Sequence, residues 1–340
     1  MRTVLITGVA GFIGFFVAQR LLNDGYRVIG IDCMSDYYDV SLKEARLSIL
    51  EAELNFSFVL GKVEAPNLLM KIFAERHPDF VIHLAAQAGV RYSIENPRAY
   101  MESNVVGTFE LLEAARAFPP QHVLLASTSS AYGASSEMPY KETQKADHQV
   151  SFYAATKKAT ENISHSYAHL FNLPITIFRF FTVYGPWGRP DMAPYKFTRA
   201  ILAGEAIDVY NYGNMRRDFT YVEDLAEAIV LLIKVVPQRP SNGRGETWDS
   251  LSPVAPWRIV NIGNSQPVQL VEFIEAIEEA TGLTAKRNLM PMQAGDVSTT
   301  WADARILKLL TGYKPKTSVR DGMKAFVEWY RVYHNLMQDT

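Results

Sequence analysis

Thr3-Val-Leu-Ile-Thr7-Gly8-Val-Ala-Gly11-Phe-Ile-Gly14 is the stretch that decides how this chain folds. An apolar run of strand length ends in glycines spaced G-x-x-G-x-x-G. A helical pattern begins inside them at 12–23, with Phe12, Phe16, Leu21 and Leu22 among its core contacts. Gly8 and Gly11 allow a tight turn and close backbone approach, and Gly14 lets the helix lie against a sheet. The first amides of that helix, those of Phe12, Ile13 and Gly14, then face a position suited to a pyrophosphate. Such a turn is weak evidence alone. Asp32 strengthens it, because it falls at the end of the second strand pattern. A carboxylate there accepts both hydroxyls of a ribose and repels a 2′-phosphate, which favours NAD over NADP.

Outward from this unit, strand-length runs alternate with helical periods. Strands are expected at 27–31, 56–60, 80–84, 122–126 and 175–180, and helices at 40–53, 67–75, 98–118 and 151–171. The fold class is therefore α/β, a doubly wound parallel sheet of the Rossmann kind. After Thr182 the pattern shortens, and Pro186, Gly188, Pro190 and Pro194 exclude a central strand or one continuous helix. Residues 237–256 read as a long exposed loop between a helix ending near Lys234 and a strand at 258–262. We expect a dinucleotide-binding domain over 1–181, with returning segments near 220–263, and a smaller, interleaved substrate-binding part over 182–340.

The composition narrows the function classes. A chain of 340 residues that is 48% hydrophobic has ample material for a core, and a net charge of −2 supplies no field for gripping nucleic acid or an anionic membrane. An anionic ligand must then be bound by local arginines. Cys33 is the only cysteine, which excludes an intrachain disulfide and fits a reducing compartment; it is expected to be a small buried residue after a strand. With no signal-peptide pattern and no membrane-length apolar run, a cytoplasmic protein is expected. No His/Cys/Asp spacing suggests a metal site, and no Ser/His/Asp hydrolase order is legible.

Ser151-Phe-Tyr-Ala-Ala-Thr-Lys157 carries the chemistry. On a helix Tyr153 and Lys157 share a face, where an ammonium can draw a phenol below its ordinary value of roughly 10. A phenolate beside a nicotinamide takes a proton from a sugar hydroxyl.

These motifs, with His83-Leu-Ala-Ala-Gln87, Asn104-Val-Val-Gly-Thr108, Ser127-Thr-Ser-Ser-Ala-Tyr-Gly133 and Arg217-Asp-Phe-Thr-Tyr-Val222, resemble the extended short-chain dehydrogenase/reductase family over nearly the full length. Within it, Asp36-Tyr-Tyr-Asp-Val-Ser-Leu-Lys-Glu-Ala-Arg46, Gln87-Ala-Gly-Val-Arg-Tyr-Ser93 and Phe181-Thr-Val-Tyr-Gly-Pro-Trp-Gly-Arg-Pro-Asp-Met192 look like the UDP-glucuronate 4-epimerases. The resemblance implies Tyr153 as acid/base, Lys157 holding the nicotinamide ribose, and Thr128 as the bridging hydroxyl where many relatives have Ser. It places Ala85, Ala86 and Asn104 at the cofactor. At the UDP-sugar it places Gln87, Ser129, Ser130, Thr182, Arg189 on the sugar carboxylate, Arg217 on the diphosphate and Asp296 near the uridine. Arg91 is left as either a ligand or a solvated residue. Lys62 stands where the family has an Asp beside the adenine, and Gln293 near a diphosphate-binding Arg. A homodimer through the helices at 98–118 and 151–171 is implied as well.

The implied reaction passes through a 4-keto sugar. Decarboxylase relatives carry Thr-Ser-Glu and 4,6-dehydratases Thr-Asp-Glu where this chain has Thr128-Ser129-Ser130, which favours epimerisation. The rivals are a UDP-glucose or UDP-N-acetylglucosamine 4-epimerase, for which Arg189 would lack a partner, and a non-catalytic NAD-binding regulator.

Overall fold

The computed structural model describes residues 1–241, 243, 246–293 and 297–336. In its first half, β1 (Thr3–Thr7), α1 (Phe12–Asn23), β2 (Arg27–Asp32), α2 (Ser41–Glu51), β3 (Phe56–Leu60), α3 (Leu68–Arg76) and β4 (Phe80–His83) alternate. Two single turns, α4 (Tyr92–Glu95) and α5 (Pro97–Tyr100), lead through a π-helical segment, Met101–Val106, into α6 (Gly107–Ala117). Next come β5 (His122–Thr128), a 3₁₀ turn (Ser129–Tyr132), α7 (Phe152–Phe171), β6 (Ile175–Phe180) and β7 (Thr182–Tyr184). The remainder is α8 (Ala193–Leu202), β8 (Ala206–Val209), a 3₁₀ turn (Tyr210–Gly213), β9 (Arg216–Tyr221), α9 (Val222–Ile233), β10 (Trp257–Ile262), β11 (Pro267–Gln269), α10 (Leu270–Thr281), β12 (Lys286–Leu289), β13 (Thr299–Thr300), α11 (Arg305–Thr311) and α12 (Val319–Tyr333).

Seven strands form one parallel sheet in the order β10-β6-β5-β4-β1-β2-β3. Its inner strands are mainly apolar because both faces are covered, with buried polar side chains such as His122, Arg179 and Asn261 on β5, β6 and β10. On one face Val4, Ile6, Val28 and Ile82 pack with α1, α9 and α11; on the other Leu5, Ile29, Ile31 and Val81 pack with α3, α6 and α7. Order reverses between β1 and β4, which opens a crevice at the carboxyl ends of these strands. A second core, centred on Tyr184, Phe219, Phe273 and Phe326, joins β7, β9, α10 and α12 beside that crevice. Pro194 is accommodated in the first turn of α8, where an N–H is not needed.

Two expectations are corrected. The helix expected at 98–118 is interrupted: Thr108 Oγ1 donates to the Asn104 carbonyl at 2.6 Å, in the stretch where the π-helical turn gives way to α6. Cys33 is exposed, because β2 ends at Asp32 and the chain leaves the sheet there. No described helix is long and apolar enough to cross a membrane.

Candidate active site

The cradle at the end of β1 is made of main chain. Gly8 has φ +75°, and a side-chain carbon on it would come within 2.8 Å of the Ala85 amide nitrogen, so the turn can touch the segment after β4 only without one. A side chain on Gly14 would collide with the Gly8 carbonyl. α1 starts at Gly11 with no side-chain cap and no acidic residue in its first turn. The amides of Phe12, Ile13 and Gly14 are thereby left for an outside anion. Asp32, buried at the end of β2, accepts from the amides of Ala10 (3.1 Å) and Met34 (2.9 Å). Lys62 is exposed just past β3, where the Gly61 amide donates to the Asp32 carbonyl at 3.0 Å. This set fits a dinucleotide.

Tyr153 and Lys157 on α7 stand beside Thr128 at the end of β5. Ser151 caps α7 by accepting from the Ala154 amide at 3.1 Å, which sets Tyr153 and Lys157 one turn apart at the crevice. Thr128 ends β5, and its hydroxyl accepts from the Ser130 amide at 3.2 Å, starting the turn that carries Ser129 and Ser130. Burial holds the Tyr153 phenol above its usual value; a Thr128 hydrogen bond and the Arg189 charge pull the other way. Lys157 Nζ has no hydrogen-bond partner among the described residues, and burial lowers the ammonium to about 8 against the opposing pull of Glu161. Burial disfavours both charged forms at once, and at the phenol it outweighs the groups that pull the other way. Arg189 is a cation whose charge opposes burial at the phenol.

Behind them lies a closed polar frame. Thr108 gives its proton to the Asn104 carbonyl, so His83 Nε2 donates to Thr108 (3.2 Å) and Nδ1 accepts from Thr7 (2.7 Å). Buried and near Lys157, His83 is pushed down to about 3 and stays neutral, an orienting group rather than an acid/base. Asn104 bonds both main-chain groups of Gln87 and donates to Thr156. Glu161 takes a bidentate pair from Arg179 (2.8 and 2.7 Å) and a hydrogen bond from Ser127 (2.6 Å), tying α7 to β5 and β6 next to Thr128.

Across the crevice the residues expected at the sugar present side-chain ends. Arg189 forms a bidentate pair with Asp191. Thr182 opens β7, paired with Phe219 of β9. Arg91 reaches over the ring of Tyr210, 5.3 Å from its centroid. Arg217 Nη2 donates to the Val297 carbonyl and Nη1 to those of Arg216 and Ser298. Gln293 Oε1 is buried without a partner among the described residues. Asp296 lies outside the described residues.

The family model for GDP-mannose 4,6 dehydratase matches residues 5–326. The chain belongs to this family, a branch of the extended short-chain dehydrogenase/reductases. A probable UDP-glucuronate 4-epimerase of Rhizobium meliloti is 52% identical over 327 residues, 96% of each chain. The UDP-glucuronic acid 4-epimerase of Bacillus cereus, solved with UDP-glucuronic acid and NAD, is 31% identical with a TM-score of 0.86, covering 97% of this chain and 99% of its own. A UDP-glucose 4-epimerase of Thermotoga maritima, solved with UDP-glucose, gives 28% and 0.84 over 98% and 99%.

Against this GDP-mannose 4,6 dehydratase family background, the residues missed by sequence reasoning are those that position others. Asp191 was within the quoted loop, two places from Arg189, but nothing local says the two side chains meet. Arg46, fully buried on α2, donates to the Ala10 carbonyl (2.9 Å), the Tyr38 hydroxyl (3.0 Å) and the Trp187 carbonyl (2.5 Å), joining the glycine turn to the Arg189 loop. An arginine one turn from Lys43 on an amphipathic helix carries no such signal in the sequence.

Proposed function

We propose that this chain interconverts UDP-glucuronate and UDP-galacturonate by NAD-dependent 4-epimerisation. The observation that carries the reading is a cation, Arg189, whose charge reaches Tyr153, together with a turn, Thr128-Ser129-Ser130, that offers hydroxyls and no carboxylate. An anionic sugar needs the first, and a 4-keto acid that must neither eliminate nor be further polarised needs the second. The relatives from Rhizobium meliloti and Bacillus cereus support the same substrate.

Gly8, Gly11, Phe12, Ile13, Gly14 and Asp32 would hold NAD, with Ala85, Ala86, Asn104 and Lys157 toward the nicotinamide. NAD bound there would supply the acceptor and donor of the C4 hydride, with no net change in its oxidation state over the cycle. Tyr153 receives the 4-hydroxyl proton and gives it back, Thr128 bridges that oxygen and the phenol, and Lys157 keeps a positive charge under both. Gln87, Ser129, Ser130 and Thr182 would line the sugar, Arg189 would take its carboxylate, and Arg91, Arg217 and Asp296 would serve the nucleotide end. Residues 1–181 with segments near 220–263 form the NAD part on this reading, and 182–340 mainly the sugar part.

A neutral sugar is the second reading, favoured by one observation: Arg189 already has a carboxylate partner in Asp191. Incubating the protein with UDP-glucuronate or UDP-glucose and separating the products decides between them. UDP-galacturonate, formed without net consumption of NAD, is expected from the first; a UDP-pentose would indicate decarboxylation, and no conversion of either sugar a non-catalytic role. The homodimer belongs to the same proposal, because Met101, Val106 and Phe109 on one helical segment and Phe152 on α7 are exposed apolar side chains; light scattering tests it. A cytoplasmic setting fits the lone, exposed Cys33.

A further inference from the structure

Arg189 Nε donates to Asp191 Oδ1 at 3.0 Å and Nη2 to Oδ2 at 2.6 Å, so the pair uses the side edge of the guanidinium. The Tyr37 hydroxyl donates to the same Oδ2 at 3.3 Å, and the Arg189 guanidinium carbon lies 5.7 Å from the centre of the Tyr37 ring. From Tyr37 a run of packed rings leads to the reactive phenol: Tyr37 to Tyr92 at 4.9 Å, Tyr92 to Tyr100 at 6.2 Å, and Tyr100 to Tyr153 at 6.0 Å. The loop itself is held short, with the Gly188 amide on the Gly185 carbonyl and Met192 on that of Arg189. Arg189 Nη1 makes no hydrogen bond among the described residues. A guanidinium has two edges that match a carboxylate, and Asp191 takes only one.

We propose that Asp191 is a positioning residue for uronate selection, gripping the Nε–Nη2 edge of Arg189 so that its Nη1 end is presented to the carboxylate of the substrate. The inference rests on the proposed role of Arg189 and adds the residue that aims it. An arginine side chain left to itself samples many rotamers, whereas one clamped two residues away and lying over the face of Tyr37 meets the sugar already oriented. The Tyr37 hydroxyl offsets part of the extra negative charge that two carboxylates bring to one cation.

The test is titration of the NAD-loaded enzyme with UDP-glucuronate and with UDP-glucose, in wild type, Asp191→Ala, Asp191→Asn, Arg189→Ala and the double Ala variant. Asp191→Ala should weaken UDP-glucuronate by roughly 10- to 100-fold, with UDP-glucose nearly unchanged, and should cost nothing further in the Arg189→Ala background. Asp191→Asn, which keeps one acceptor and the shape of the side chain, should fall between and carries the test if the Ala variant does not fold. Tighter uronate binding in Asp191→Ala would show Asp191 to be a competitor instead and overturn the proposal. So would an unchanged affinity, an equal loss for both sugars, or additive losses in the double variant. If Arg189→Ala weakens both sugars alike, the role of Arg189 falls and this proposal with it; if Arg189→Ala is selective while Asp191→Ala is silent, only the proposal falls.

Discussion

At the glycine turn, the groups that would meet a ligand are the main-chain amides of Phe12, Ile13 and Gly14, held by a seven-stranded sheet. At the loop after β7 they are side-chain ends, with Arg189 held by Asp191 and the loop tied down by Arg46. A main-chain cradle tolerates change in most side chains but none in the backbone path, as the crowding at Gly8 and Gly14 shows. A side-chain clamp leaves the backbone free and puts the discrimination into one or two charges. The general, invariant part of the ligand suits the first construction, and the part that differs between sugars suits the second.

The largest effect is expected where the two regions meet. Tyr153→Phe keeps the ring packed on Tyr100 and removes the proton carrier, so turnover should fall by at least the 10²- to 10⁴-fold typical of general acid/base catalysis, while NAD stays bound and thermal stability is nearly unchanged. Near-normal turnover in that variant would remove Tyr153 from the chemistry.

Arg189→Ala comes next and acts first on the binding of the sugar. Leaving a buried substrate carboxylate unpaired costs roughly 2 to 5 kcal/mol, so affinity for UDP-glucuronate should drop steeply and that for UDP-glucose little, while the loss of the Arg189 charge near Tyr153 slows turnover of either sugar. NAD content, measured by absorbance after denaturation, should not change. A loss of bound NAD would mean that the two regions are coupled through Arg46 more tightly than the contrast above allows.

On the cofactor side, Asp32→Asn should relax the preference for NAD by roughly 1 to 2 kcal/mol, about tenfold, because one like-charge contact with a 2′-phosphate is removed. Sugar affinities should stay as they are. Equal binding of NAD and NADP by the unchanged protein would show that Asp32 does not face the ribose.

The smallest effect near neutrality is a pH limb. Burial lowers the Lys157 ammonium to about 8, so its charge is mostly present at neutral pH and is lost as pH rises through that value. The rate should therefore decline above pH ~8, approaching tenfold per unit. Lys157→Arg keeps the charge and should move the limb upward, and a limb that does not move assigns it to another group.

The alternation of strands and helices was legible because burial on both faces of a parallel sheet leaves continuous apolar runs, and β1, β3 and β6 begin and end where those runs do. The π-helical turn inside the helix at 98–118 was not, since it differs from an α-helix by hydrogen-bond partners that side-chain periodicity does not record. Tyr153, Lys157, Gly8 and Asp32 could be singled out because spacing within one turn or one strand end dictates which groups share a face. The sign of the phenol's shift could not, because it depends on burial and on Arg189, a residue on another element.

By itself the sequence determined the α/β architecture, the glycine turn and the placing of Asp32, Tyr153 and Lys157, all of which follow from local geometry that a short segment imposes on itself. Only the tertiary structure decided that Asp191 and Tyr37 hold Arg189, that Arg46 spans from Ala10 to Trp187, and that Glu161 and Arg179 stand behind Lys157. Those contacts join side chains brought together by the closing of the fold, and their energies come from desolvation and charge pairing, which no local pattern of residues encodes.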